Sequence, residues 1–368
     1  MKQENADVMQ QWNHDVWDER THLIRFAEEH PKAQPQDYIK RLYQSEFGGG
    51  HMIADEEESL SLLKKEIAGL TEKQQRRQFF EQFCGDFCCM NLSVSREAPP
   101  ELINRLFVAS SKQVPLGAAF RFGEKLRVLL ALCSERSELF LFSKDELETY
   151  VQEYLDAGMP LLRHSDAYRK AYTPAYRVVR KEFAQLLPLY IAMERCLKEK
   201  GRVNLAIDGD SAAGKTETAR WIGLVYDCNI FHADDFFLPK ELRTPERFKE
   251  PGGNMDRVRF KNEICVPVRE GKPFSYRPFN CNTMRQDAPV SVEPKKINVF
   301  EGSYTMHPEL RDFYDLSVFL SIDPPQQEAR ILARNGAFML RSYVERWIPM
   351  EKRYHEAMKV KEACDLVF

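Results

Sequence analysis

Eight residues constrain this chain more than any others: Gly209-Asp210-Ser211-Ala212-Ala213-Gly214-Lys215-Thr216, a full GxxxxGK[ST] pattern. The apolar run Val203 to Ile207 precedes it, and Thr216 to Tyr226 can form a helix after it. A strand, a glycine-containing turn and a helix in that order bring successive backbone N–H groups together at a helix N-terminus, where they can hold phosphate oxygens. Lys215 can then reach the β- and γ-phosphates, and the Thr216 hydroxyl can hold Mg²⁺. An incidental glycine-containing turn would explain the eight residues alone, but not their flanks. The segment is read as a nucleotide site.

The surroundings predict a parallel sheet. From Lys198-Glu199-Lys200-Gly201 onward, short β-rich runs alternate with helical patterns: Val203 to Ile207, Asn229 to Ala233, Ile297 to Phe300 and Leu316 to Ile322. Cys364 to Phe368 looks like one more strand. Residues 1–198 read instead as almost continuous helix. Ser143-Lys144-Asp145-Glu146 has the form of a capping box ahead of Leu147, Tyr150, Val151, Tyr154 and Leu155 at helical spacing. Thr71-Glu72-Lys73-Gln74 offers a second helix start, leading into Phe79, Phe80 and Phe83. The expected fold is therefore α/β: a P-loop NTPase-type parallel sheet sandwiched by helices over 199–368, preceded by an all-α N-terminal domain over 1–198. At 368 residues, two or three domains suit the length.

Composition narrows the function classes. Lys+Arg 53 against Asp+Glu 56 gives a net charge of −3, with 25 of each beyond Lys200 and 28 against 31 before it. Neither half is basic, so a nucleic-acid binder driven by bulk charge is disfavoured. The opening MKQENADVMQ lacks a signal-peptide pattern, and no apolar run approaches the roughly 20 residues of a membrane helix. Nine scattered cysteines suggest reduced thiols. A soluble, cytoplasmic chain is expected, off the membrane and free to form a homo-oligomer.

Several side chains fall where chemistry is expected. Ile230-Phe231-His232-Ala233 runs into Asp234-Asp235-Phe236-Phe237, and a carboxylate at that strand end could take the proton of an attacking hydroxyl. The same aspartates could simply cap the next segment. Glu301 ends the run Ile297-Asn298-Val299-Phe300 and could orient Mg²⁺-bound water. Arg330 and Arg334, four apart, share one helix face and could close over phosphates, or merely be solvated. Arg341 and Arg346 are weaker candidates for that role.

In order, IDGDSAAGKT, HADDFF, NMDRVRF, FSYRPF, FEGSY and the Arg-containing helix resemble the uridine kinase-like group. That group also includes phosphoribulokinases, pantothenate kinases and nicotinamide riboside kinases. The resemblance covers roughly residues 201–368 and leaves the N-terminal half untouched. It implies ATP and Mg²⁺, with Asp234 as general base and Glu301 matching the family's EG pair. It also implies that Asp256 holds ribose hydroxyls and that Tyr276 packs against substrate, with Arg277 beside it as an anion partner. Asp256 could instead cap a helix from Arg257 to Val268, and Tyr276 and Arg277 could be surface strand residues. Two departures bear on substrate choice. Phe237 replaces the tyrosine of uridine kinases, as it does in nicotinamide riboside kinases, and Cys281 stands where uridine kinases offer a base-reading histidine. Leu238 to Asn254 is expected to form a loop over the acceptor.

The expected activity is ATP-dependent phosphoryl transfer to a hydroxyl of a small nucleoside-like, sugar-like or vitamin-like molecule. The alternatives are a nucleotide-dependent sensor and a nucleic-acid-modifying kinase. In the N-terminal half, Ser45 to His51 holds three consecutive glycines that could form an anion-binding nest or a plain helix-ending loop. Cys84, Cys88 and Cys89 lack zinc-site spacing. His164 to Lys181 interleaves tyrosines with basic residues. It could clamp single-stranded nucleic acid, line a small anionic-ligand pocket, or be a helix face with buried tyrosines and wet charges.

Overall fold

The computed structural model describes residues 18–49, 53, 55–281 and 283–368. Gly50 and His51 of the glycine turn lie outside the described residues. The chain forms two compact units divided between Ile191 and Ala192.

The first unit is mainly helical: α1 (Glu19–Glu29), α2 (Pro35–Phe47), α3 (Glu56–Ala68), α4 (Pro100–Ser111), α5 (Ala118–Glu135), α6 (Lys144–Asp156) and α7 (Asp166–Tyr172). Local sequence explains the helix starts. Asp18 accepts from the Thr21 N–H, and Ser143 and Glu146 close the expected capping box ahead of α6. Leu23, Phe26, Tyr38, Leu42, Phe122 and Leu147 pack into a shared core.

The unit is not helical throughout, which corrects the all-helical reading. Strands β1 (Phe80–Gln82), β2 (Phe87–Asn91) and β3 (Tyr176–Arg180) form an antiparallel sheet in the order β1-β2-β3. Every residue of β2 is buried, so it shows no polar alternation, and a short apolar run of that kind fits a buried helix equally well. The Thr71 capping box closes as expected, but its helix ends at Gln75 and Phe80 belongs to β1.

The second unit follows helix α8 (Leu187–Lys200), within which the division falls. It contains β4 (Val203–Gly209), α9 (Lys215–Val225) and β5 (Cys228–His232). Two small antiparallel pairs come next, β6 (Phe274–Tyr276) with β9 (Val290–Val292) and β7 (Phe279–Asn280) with β8 (Arg285–Gln286). Then come β10 (Ile297–Glu301), β11 (Leu316–Leu320), α10 (Pro324–Ser342), α11 (Ile348–Met358) and β12 (Leu366–Val367). Five strands make a parallel sheet in the order β12-β11-β4-β10-β5, flanked by helices, as expected. All seven residues of β4 are buried, fitting a strand covered on both faces. Phe231, Phe236, Phe300, Phe319 and Tyr354 lie in the core built around the sheet.

The register positions the site. Glu301 pairs with Ile207 of β4 on one side and His232 of β5 on the other, so three strands end together where the loop begins. Among the described residues, no helix is long and apolar enough to cross a membrane.

Candidate functional site

The loop between β4 and α9 is held open by its backbone. Gly209 has φ 137°, and a Cβ there would run into the Leu320 backbone of β11. Gly214 caps α9 without a side-chain bond, so the first N–H groups of the helix are left for a ligand. Lys215 Nζ donates to the carbonyls of Gly209 (2.8 Å) and Asp210 (3.0 Å), folded back over the loop it would leave on meeting phosphate.

Two carboxylates brace this loop. Asp208 is fully buried and accepts from the N–H groups of Gly209 and Met306 and from the Tyr354 hydroxyl. Burial alone would raise its pKa, but His355, the Met306 N–H and Lys215 together hold it below the usual carboxylate range. Glu351 of α11 accepts from Ser211 and from the Ser303 hydroxyl (2.6 Å).

The ends of β5 and β10 supply the acidic side. Glu301 Oε1 accepts from Thr216 Oγ1 at 3.2 Å and lies 2.5 Å from His232 Nδ1. That bond to Glu301 raises the pKa of His232 against the opposing effect of its burial. Asp234 sits in the tight turn Ala233–Phe236, with its carboxylate open to a cavity but surrounded by protein on its other sides. Loss of bulk water around it, and then the charge of Glu301, push its pKa up to about 6, against the pull of Lys215.

These groups meet in one cavity of about 780 Å³. Lys215, Thr216, Asp234, Glu301, Arg330 and Arg334 all line it, together with Ser211, Ala212 and Gly214 of the loop. Gly209, Asp210 and Ala213 shape the loop without lining the cavity; Asp210 accepts from the Ile322 N–H at 3.2 Å. Arg330 donates to the Ala212 carbonyl at 3.1 Å, and Arg334 bonds Asn335 just before Gly336 breaks the helical backbone of α10. Arg341 pairs with Glu345, and Arg346 stacks on Phe248 and Trp347.

The remaining candidates are placed otherwise. Asp256 accepts from the Arg259 N–H as a helix N-cap and is not among the lining residues. Tyr276 is buried, stacked on Phe236 and bonded to Asp235, while Arg277 is exposed and offers its carbonyl to Arg259. Phe237 and Cys281, the two departures from uridine kinases, do line the cavity. The loop expected over the acceptor carries two short helical turns and ion pairs from Glu250 to Arg247 and Arg257.

Sequence reasoning missed Glu351 and Asn254. Asn254 lines the cavity at 5% exposure, and its Oδ1 has no hydrogen-bond partner among the described residues.

No family model and no curated protein matches the chain. Among solved structures, one described as a possible uridine kinase from Bacillus stearothermophilus is 21% identical. It covers 51% of this chain and 99% of its own, with a TM-score of 0.39. Another, from Silicibacter sp. and provisionally described as a fructose transport system kinase, is 20% identical. It covers 46% of this chain and 91% of its own, also with a TM-score of 0.39.

Proposed function

We propose that the C-terminal unit, residues 192–368, transfers the γ-phosphoryl group of ATP to a hydroxyl of a small molecule. The observation that carries this reading is that Lys215, Asp234 and the Thr216–Glu301 pair open onto one cavity. Loop amides and Lys215 hold the β- and γ-phosphates, with Lys215 exchanging its two carbonyl partners for phosphate oxygens. Thr216 and Glu301 offer two hard oxygens side by side, a donor set that fits Mg²⁺. Bound there, Mg²⁺ would neutralise charge on the phosphate oxygens.

Asp234 takes the acceptor's hydroxyl proton as the acceptor oxygen bonds to the γ-phosphorus. The bond from that phosphorus to the β–γ bridging oxygen breaks, and ADP leaves. A carboxylate with a pKa near 6 is ionised at neutral pH yet more basic than an ordinary aspartate. Arg330 and Arg334 stabilise charge on the moving group.

For the acceptor, Asn254 Oδ1 is a buried oxygen that needs a donor, and an alcohol supplies one. Phe237 and Cys281 do not offer the tyrosine hydroxyl and the histidine of uridine kinases, so this cavity does not read a pyrimidine in their way. The class proposed is a nucleoside-like, sugar-like or vitamin-like alcohol. A screen of such compounds with labelled ATP tests it. Transfer to at least one acceptor is expected, and ATP binding without any transfer would replace this reading with a nucleotide sensor.

A further inference from the structure

A second cavity lies wholly within the N-terminal unit, and the reaction above has no use for it. It measures about 520 Å³ and lies among α2, α3, α4 and the segment from Leu162 to β3. Helix α2 presents Asp37, Lys40 and Gln44 at spacings of three and four, so they share one face. Asp37 is fully buried and holds the Ser165 N–H and hydroxyl (2.9 and 2.6 Å) and His164 Nδ1 (2.9 Å). Across the ring, His164 Nε2 lies 2.7 Å from the Tyr176 hydroxyl, which also meets Gln44 Oε1 (3.0 Å) and accepts from Lys40 Nζ (3.2 Å). His164 is further fixed by stacking flat on Tyr168 at 4.2 Å.

Lys40 is what this network leaves unsatisfied. The residue is 7% exposed and lines the cavity, yet its hydrogen-bond partner is one neutral hydroxyl, and among the described residues no carboxylate pairs with it. A buried ammonium with a single neutral acceptor is costly unless an anion joins it. The carboxylates lining the cavity do not serve. Glu66 is held by both terminal nitrogens of Arg177, Asp55 caps α3, and Asp55 and Glu58 lie at the exposed mouth. Arg163 lines the same cavity, and no carboxylate among the described residues pairs with its guanidinium. Phe107, Leu162 and Val178 supply apolar wall.

We infer that this cavity is a ligand site for a small organic molecule carrying one oxyanion, phosphate or carboxylate, gripped by Lys40 and Arg163 with its apolar part against Phe107 and Val178. Burial, against the attraction of nearby acidic groups, lowers the pKa of Lys40 to about 8, consistent with an ammonium lacking its counter-ion. The tyrosine-and-arginine segment thus divides between helix α7 and strand β3. Buried Tyr168 and half-buried Tyr176 fix His164 beside the chamber, and Arg177 is committed to Glu66.

Calorimetry on the full chain tests the inference, with Lys215→Ala removing the loop's grip on phosphate. Inorganic phosphate and butyrate, a single carboxylate with an apolar tail, are titrated in separate arms, and the tighter arm identifies the oxyanion. Saturable binding is expected in at least one arm below roughly 10 mM. It should weaken by at least about tenfold when Lys40→Met is added. Arg163→Ala, at an exposed position, should weaken it several-fold, and it decides the matter if the Lys40 variant does not fold. No saturable binding in either arm, or affinity unchanged by both substitutions, overturns the proposal.

Discussion

Ser211 donates both its backbone N–H (3.0 Å) and its hydroxyl (2.7 Å) to the Glu351 carboxylate, 140 residues further along the chain. The Ser303 hydroxyl completes the same carboxylate, so one buried side chain of α11 ties the phosphate-facing loop to the segment after β10. Removing it leaves buried donors without an acceptor. Glu351→Ala should destabilise the C-terminal unit by about 2–4 kcal/mol and weaken ATP binding together. Denaturant unfolding with parallel nucleotide titration checks this, and an unchanged midpoint would show that the brace carries no weight.

Gly209 makes a sharper backbone test. Its φ of 137° is strained for any residue with a side chain, and an added Cβ would meet the Leu320 backbone, which cannot swing aside as a side chain does. Gly209→Ala should cost more than about 3 kcal/mol or abolish ATP binding by displacing the loop. Wild-type melting and wild-type affinity together would rule that out.

The pKa of Asp234 sets a pH dependence. A general base works only when ionised, so kcat/KM for the acceptor should rise with pH through about 6 and level off above. A pH–rate profile for transfer reads this directly. A flat profile down to the ordinary aspartate range near 3.9 would mean that Asp234 is not the base.

The same shift carries a stability consequence with a definite sign. The folded-state pKa lies above the unfolded value of 3.8, so folding favours the protonated acid; the stability this gives below about pH 3.8 is lost as pH rises to about 6 and stays lost above it. Asp234→Asn removes that charge. At neutral pH its melting temperature should equal or exceed that of the wild type, and a clear loss would assign Asp234 a structural role.

The legible parts of the fold were those where local chemistry and pattern agree. The loop, the Asp234 turn and Glu301 each sit at the end of a short apolar run followed by glycine or acidic residues, and all three come together. Strands β1 and β2 escaped because a short, wholly buried run around Phe87 has no alternation to separate it from helix. Asp256 suited two roles in sequence, and its geometry is that of a helix cap. Glu351 and Asn254 were invisible for another reason. Their roles come from residues far away in the chain or from a missing partner, and neither leaves a local pattern.

The central claim is that Asp234 deprotonates an alcohol beside a triphosphate held by the loop. Labelled phosphoryl transfer by Asp234→Asn, measured beside its ATP affinity, tests this most directly once an acceptor is in hand. The account predicts ATP affinity within about threefold of wild type and transfer slowed by at least about 100-fold. Transfer by this variant at the wild-type rate would contradict it.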